Sequence, residues 1–295
     1  MNKVNGKALL GKAIAGLGIV FMAAPSAHAG TLHNGWHYAI DSFTDGVTGG
    51  VIGADGAFEF YSLALREETE HIFVAINTNL LLSGYEDSTA TNGSIAYGDL
   101  FFNFSSNDFK TASTKEELFA IRFSVVNDSG VNEVGVYSNV TAKNVSQYNV
   151  GFSNLEEYNT YVIPTGGIPT LGDLTSQDPY LEQTGEWTIL NAIASGRKVG
   201  DINFVDNTTL TSLGLDFNYF NAVGSQTIGF KFAKDLLPSG NFIAHILAEC
   251  ANDGIALKGE LQVKEAKNVP EPSSVGASIL FGLAMLAFNR KKIPH

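Results

Sequence analysis

Phe242-Ile-Ala-His-Ile-Leu-Ala-Glu-Cys250 is the stretch that decides the fold, because its alternating residues define two faces. Residues two positions apart point to the same side of a β-strand. One face carries Phe242, Ala244, Ile246, Ala248 and Cys250, and the other carries Ile243, His245, Leu247 and Glu249. The alternation predicts a strand. Asn252-Asp253-Gly254 after it is typical of a hairpin turn that leads into a second strand at residues 259–263.

Shorter alternating runs predict further strands, separated by turns rich in Asn, Asp and Gly. They lie at residues 56–65, 71–77, 99–104, 118–126, 135–142, 213–219 and 228–232. The middle of the chain differs, since residues 154–161 predict a short helix with an Asn cap and residues 186–194 another helical turn. The pattern favours a mainly β fold, an antiparallel β-sandwich or jelly roll with a few short helices.

Charge limits the class of partner. The 295 residues include 18 Lys and Arg against 30 Asp and Glu. Outside the two terminal signals described next, 12 basic and 29 acidic residues remain, a net charge of about −17. Such a surface repels nucleic acid, so a DNA- or RNA-binding role is excluded. Cys250 is the only cysteine, which rules out an intramolecular disulfide, and we expect it to be a buried small hydrophobic residue.

The amino terminus predicts a secretory signal peptide over residues 1–29. Lys3, Lys7 and Lys12 precede an apolar stretch at residues 13–24, which we expect to form a signal helix. Ala27-His28-Ala29 offers signal peptidase a small-x-small cleavage point before Gly30. The mature body is therefore expected to start at Gly30.

The carboxyl terminus carries a second signal. Pro270-Glu271-Pro272 leads into an apolar run of 14 residues, 275–288, and Arg290, Lys291 and Lys292 follow at once. We expect a hydrophobic helix whose basic end stays on the cytoplasmic side, although the run is short of the roughly 20 residues of a comfortable transmembrane helix. The alternative is a buried terminal helix with a basic tail. Residues 263–268 form a polar spacer, which leaves a body at residues 30–262.

The pattern and position of residues 269–295 resemble the PEP-CTERM sorting signal. Blocks at residues 36–42, 97–101, 171–174, 198–202 and 245–253 are similar to cyanobacterial exosortase-dependent surface proteins. The resemblance implies export, processing by an exosortase at Pro270, Glu271 and Pro272, and retention of a transient inner-membrane precursor by the apolar run and the basic stop. It implies surface display and carries over no catalytic residue.

Candidate chemistry is sparse in the body. The Gly-x-Ser-x-Gly, His-Glu-x-x-His and phosphate-loop motifs are absent. His33 with His37, and His245 with Glu249, are weak metal pairs, and a structural histidine is the better interpretation of His245. Trp36 and Trp187 are candidates for stacking on sugar rings, although core packing explains most aromatics.

Calcium is an alternative at three acidic turns. Asp41 to Gly46 resembles half of a calcium loop, but Phe43 and Ile52 at its third and twelfth positions exclude an EF-hand. Asp206-Asn207 and Asn252-Asp253-Gly254 are the other two, and turn formation explains the same residues. The sequence therefore assigns no cofactor, no metal ligand and no catalytic residue. A pair of acids for glycoside hydrolysis stays open, because spacing in sequence does not report separation in space.

Together these features predict an exported, exosortase-processed cell-surface protein that is not an enzyme. We expect a structural or adhesive role in the envelope or the exopolysaccharide matrix. The alternative is a secreted, lectin-like module that binds carbohydrate or calcium, which requires exposed aromatics along a concave face. A hydrolase would instead require acids, or a Ser/His pair, that converge in one cleft.

Overall fold

The computed structural model describes residues 30–263, in which antiparallel strands dominate. In chain order the strands and helices are β1 (Thr31–His33), β2 (Trp36–Ile40), β3 (Val47–Thr48), β4 (Val51–Ile52), β5 (Phe60–Glu67), β6 (His71–Thr78), β7 (Tyr85–Glu86), β8 (Ser94–Ile95), β9 (Leu100–Asn103), α1 (Phe109–Thr114), β10 (Leu118–Arg122), β11 (Gly135–Lys143), α2 (Leu155–Val162), β12 (Ala192–Gly200), β13 (Asn203–Phe204), α3 (Asn207–Ser212), β14 (Gln226–Ala233), β15 (Gly240–Leu247) and β16 (Gly254–Leu261). Single turns of 3-10 helix lie at Ser146–Tyr148, Ile163–Thr165, Asn218–Phe220 and Lys234–Leu236. The predicted signal helix and C-terminal helix lie outside the described residues. Within residues 30–263, no helix combines the length and the apolar composition that crossing a bilayer requires.

Two sheets of six strands each form the body. The first has the order β1-β2-β5-β6-β14-β13 and the second β12-β11-β10-β9-β15-β16. Neighbouring strands are antiparallel in both sheets. The prediction of a mainly β, antiparallel fold is therefore confirmed. The predicted hairpin is also present, with Leu247 opposite Gly254, and its second strand starts at Gly254 rather than at residue 259.

The two sheets share one hydrophobic core. The first sheet contributes residues such as Leu63, Ile76 and Phe230, and the second contributes residues such as Phe102 and Leu257. Phe242, Ala244, Ile246, Ala248 and Cys250 all belong to this core, so the predicted inner face of β15 and the burial of Cys250 are confirmed. Each fully buried large side chain here contributes about 1.5–3 kcal/mol to folding.

Both sheets are also covered on their outer faces. Ile243 and Leu247, on the other face of β15, pack with Phe109 of α1 and with Tyr180. Trp36 and Tyr38 of β2 pack under Leu210 of α3 on the first sheet. This double coverage explains why several strands are apolar on successive residues.

Two predicted elements are wrong. Residues 213–219 form no strand, because Gly214 takes a left-handed φ of +90° after α3 and turns the chain back. The alternating Leu215 and Phe217 are nevertheless buried, as a cover on the first sheet. Residues 186–194 form no helical turn, because the chain enters β12 at Ala192 and pairs with β11. The helix at residues 154–161 is confirmed as α2, whose Asn154 Oδ1 accepts a hydrogen bond of 2.8 Å from Glu157 N.

Candidate metal centre

Four acidic side chains meet where strands of the two sheets begin or end. Asp41 directly follows β2, Asp45 lies in the next loop, Glu59 directly precedes β5, and Asp253 directly precedes β16. They converge because β2 and β5 are neighbours in the first sheet and β16 of the second sheet lies against both. We call Asp41, Asp45, Glu59 and Asp253 the carboxylate cluster. One oxygen each of Asp41, Asp45 and Asp253 lies within 4.8 Å of the others.

The loop after α2 holds two members of the cluster in place. Asp41 Oδ1 accepts hydrogen bonds from Thr170 Oγ1 at 2.6 Å and from Gly172 N at 2.9 Å. Asp45 Oδ2 accepts one from Thr170 N at 2.8 Å. Each aspartate is therefore oriented through one oxygen, while its second oxygen is left for another partner.

Backbone amides at the strand starts hold the other two members. Glu59 Oε2 accepts a hydrogen bond from Gly46 N at 2.8 Å, and Asp253 Oδ2 accepts one from Phe60 N at 2.7 Å. Asp253 Oδ1 accepts another from Gly254 N at 2.7 Å. The Tyr158 hydroxyl of α2 lies 3.1 Å from the Asp45 carbonyl oxygen and 3.4 Å from Asp253 Oδ1. The cluster is thus fixed by both sheets, the helix and the long loop.

Three carboxylate oxygens of the cluster are buried without a hydrogen-bond partner. They are Asp41 Oδ2, Asp45 Oδ1 and Glu59 Oε1. Asp45, Glu59 and Asp253 are fully buried, and Asp41 is 5% exposed. None of the ion pairs within residues 30–263 includes these carboxylates. Buried carboxylates are normally paired with a cation or fully hydrogen-bonded, so the cluster requires a positive partner or bound protons.

The pKa values express the same requirement. Burial and, to a smaller extent, the nearby charge of Asp45 together raise the pKa of Glu59 to about 8. Burial also raises the pKa of Asp45 to about 6. The pKa values of Asp41 and Asp253 lie well above their usual range, first because of burial and then because of the charge of Asp45. The charged neighbours within the cluster are thus other carboxylates, whose repulsion a bound cation would remove.

The donor set fits calcium. Ca²⁺ binds six to eight oxygen ligands at roughly 2.3–2.6 Å, so two ligands on opposite sides of one ion lie up to about 5 Å apart. The three aspartate oxygens satisfy that limit. Glu59 is outside this set of three, but it is near enough for its charge to interact with that of Asp45. Zinc and copper favour His and Cys ligands, and the cluster contains neither.

The structure brings two of the three sequence-based calcium candidates together and places the third elsewhere. It brings Asp41 and Asp45 of the half-loop together with Asp253 of the hairpin turn. Asp206 lies apart from them as the exposed cap of α3, and its Oδ1 accepts a hydrogen bond of 2.8 Å from Thr209 N. Asp206 thus serves as a helix cap, a role that the turn interpretation did not include. The sequence pattern assigns no metal ligand, and it gives no signal for Glu59.

The structure shows the surroundings of the histidines in the two candidate metal pairs. His33 is opposite Trp36 in the β1–β2 hairpin, so His33 and His37 point to opposite faces of the sheet. His245 Nδ1 lies 3.0 Å from the Tyr180 hydroxyl, and its ring stacks on Phe101. Burial lowers the pKa of His245 to about 3, so the ring is neutral, and the structural interpretation is confirmed.

Glu249 serves a different part of the fold. Its carboxylate accepts a hydrogen bond of 2.8 Å from Ala96 N and another from Asp128 N. Burial raises its pKa to about 8. β15 ends at Leu247, so Glu249 belongs to the turn before Asp253 and not to a site shared with His245.

The two tryptophans differ in exposure. Trp36 is fully buried, and its Nε1 donates to the Leu213 carbonyl oxygen at 3.0 Å, so it cannot stack on a sugar. Trp187 is 41% exposed, and the Lys110 ammonium lies 5.1 Å from its ring. Only Trp187 keeps an accessible ring.

No protein-family model, no curated protein and no solved structure matches this chain. The functional conclusion therefore rests on the residues of the chain itself.

Proposed function

We propose that this chain is an exported surface module, a jelly-roll-type β-sandwich whose fold is stabilised by one buried calcium ion. The observation that supports the ion is the set of buried carboxylate oxygens that have no partner. Extracellular calcium modules bind with Kd values of about 10⁻⁴–10⁻³ M. With only one cysteine, the chain cannot use an intramolecular disulfide for the same purpose.

Calcium at 10 mM is expected to raise the melting temperature of the protein by roughly 3–11 °C relative to the chelated state. At 10 to 100 times its Kd, a ligand stabilises the folded state by about 1.4–2.7 kcal/mol, and each kcal/mol shifts the Tm of a domain of this size by roughly 2–4 °C. Thermal unfolding in calcium and in EGTA measures the shift, and metal analysis after dialysis gives the stoichiometry. Equal melting temperatures in both buffers would rule out a stabilising ion.

The role we propose for the module is structural or adhesive, within the envelope or the exopolysaccharide matrix, and not enzymatic. The cluster supports a structural ion because burial closes it to a substrate. The proposed localisation rests on the two terminal signals of the sequence. Signal peptidase would act before Gly30 and an exosortase at Pro270, Glu271 and Pro272, with Arg290, Lys291 and Lys292 as the cytoplasmic stop.

Glu271→Ala is expected to leave an uncleaved precursor in the inner membrane, because the substitution removes the central residue of the proposed processing motif. Cell fractionation and intact mass measure the outcome in the native host. Glu260→Ala, at an exposed position of β16, removes the same type of side chain from the body and should mature normally. Normal cleavage and surface display of the Glu271 variant would contradict exosortase processing.

A further inference from the structure

A groove lined by aromatic side chains lies next to the carboxylate cluster. It has a volume of about 320 Å³, and its lining includes Tyr85, Phe58, Phe152 and Tyr161. The Tyr85 ring packs 5.3 Å from Phe58, and the Tyr161 ring packs 5.6 Å from Phe152. Both tyrosines stay about 40% exposed. We call this the tyrosine groove.

The loops that hold the carboxylate cluster also form the tyrosine groove. Val47 N donates to the Asn252 carbonyl oxygen at 3.0 Å, and Asn252 Nδ2 donates to the Val47 carbonyl oxygen at 2.8 Å. Val47 is two residues from Asp45, and Asn252 precedes Asp253. The floor of the groove is therefore tied to two of the proposed ligands.

One wall of the groove has an unusual backbone. Val150 adopts a φ of +56°, a conformation that β-branched residues rarely take, and it is 61% exposed. The next two residues hold it there, since Gly151 N and Phe152 N donate hydrogen bonds of 3.0 Å to the carbonyl oxygens of Ser146 and Cys250. Backbone strain of this kind concentrates at ligand sites.

The charge of the lining restricts the ligand. Asp87 lies in the groove, and an adjoining depression of about 850 Å³ shares Phe152 and Tyr161 and adds Glu156, Glu157 and Glu186. Neither lining contains a Lys, Arg or His side chain. The carboxylates repel phosphate, sulfate and uronate groups, and they accept hydrogen bonds from hydroxyl groups.

We propose that the tyrosine groove binds a neutral polysaccharide strand. Exposed tyrosine rings offer apolar faces to the C–H groups of sugar rings, while Asp87 and the neighbouring glutamates accept hydrogen bonds from their hydroxyls. Two adjoining depressions that share Tyr161 suit a chain-like ligand better than a single sugar, and both have the size of ligand sites. The inference rests on the proposed function, since a cation held by Asp45 and Asp253 would fix the floor of the groove.

Calorimetric titration of the secreted protein in 1 mM calcium tests the proposal. The probes are cellohexaose and maltohexaose as neutral chains, hexagalacturonate as an anionic chain, and hexalysine as a cationic peptide. We expect at least one neutral hexasaccharide to bind, and Tyr85→Ala and Tyr161→Ala each to weaken that binding at least tenfold. Tyr219→Ala, at an exposed tyrosine that stacks on His33 of β1, should leave the binding unchanged.

Three results would overturn the proposal: no heat from either neutral probe at 10 mM, tighter binding of hexalysine or hexagalacturonate, or unchanged binding in both tyrosine variants. The calcium-induced Tm shift of the same samples separates this failure from failure of the proposed function. A calcium-induced Tm shift without sugar binding would contradict the proposal for the tyrosine groove and leave the proposed calcium site standing. A variant without a cooperative unfolding transition is misfolded, and Tyr85→Phe and Tyr161→Phe then replace the alanine variants, with the expected loss reduced to threefold.

Discussion

Asp45→Asn is expected to abolish most of the roughly 3–11 °C stabilisation by calcium while leaving the chelated protein as stable as the native chain, or more stable. The amide oxygen of asparagine retains the hydrogen bond from Thr170 N. Its amide nitrogen replaces the unpartnered Oδ1 and can donate to the neighbouring carboxylates. The substitution therefore removes repulsion from the metal-free cluster, and it removes a charged ligand from the calcium-bound one. Thermal unfolding of the native protein and of the variant, each in calcium and in EGTA, gives the four melting temperatures that the comparison requires.

Asp206→Asn is the matched control for this experiment. It makes the same chemical change at the exposed cap of α3, where Asn caps as well as Asp. We expect its melting temperatures to equal those of the native protein in both buffers. If Asp45→Asn kept the full calcium response, Asp45 would not be a ligand. If it lost stability equally in both buffers, its role would be packing alone.

The affinity for calcium is expected to fall at least about tenfold per pH unit between pH 8 and pH 6. Below its pKa of about 8, Glu59 holds a proton that the cation must displace, and each displaced proton changes the affinity about tenfold per pH unit. The raised pKa values of Asp41 and Asp253 can only make this slope steeper. Below pH 6 the decline should steepen, because the pKa of Asp45 lies at about 6 and a second proton then competes. Calorimetric titration at several pH values measures the slope. A constant affinity from pH 6 to pH 8 would mean that Glu59 is already ionised in the metal-free protein.

The pH dependence of the metal-free protein has a defined sign. A carboxyl whose pKa is raised in the folded state stabilises it fully below the unfolded pKa of about 4, and that stability is lost as the pH rises through the folded value. Glu59 and Glu249, both with a pKa of about 8, therefore destabilise the chelated protein as the pH approaches 8. His245 acts in the opposite direction below pH 6.5, because its lowered pKa of about 3 keeps it neutral while the unfolded chain takes up a proton. Glu249 and His245 contribute equally to the stability in calcium and in EGTA. The difference in stability between the two buffers at each pH therefore measures the carboxylate cluster alone.

Much of the fold was predictable because burial has a period of two residues in a strand. The faces of residues 242–250 followed from that period alone, and the cap at Asn154 followed from its side chain. The same period gave a wrong prediction at residues 213–219. Alternate residues are buried there too, but they lie in a helix end and a turn and not in a strand. The prediction of a helical turn at residues 186–194 was wrong for a related reason, since a short apolar stretch does not show whether it pairs with a neighbouring strand.

The candidate site was only partly predictable. Asp41, Asp45 and Asp253 were recognised as acidic turn residues, but as members of separate turns. Nothing local connects them, because the hydrogen bond between Phe60 and Asp253 spans 193 residues. Glu59 gave no signal, since a single acid between Phe58 and Phe60 resembles the outward residue of an alternating strand. Topology, which places β16 against β2 and β5, is the information that the sequence pattern lacked.

The distance along the chain between the proposed ligands also determines when the ion can act. Asp41, Asp45 and Glu59 leave the ribosome early, whereas Asp253 arrives only with β16, the last strand of the described residues. Closing so long a loop has a high entropic cost, and such non-local contacts make folding slow. Calcium would therefore bind at the end of folding and leave the emerging chain without the ion until the last strand has passed.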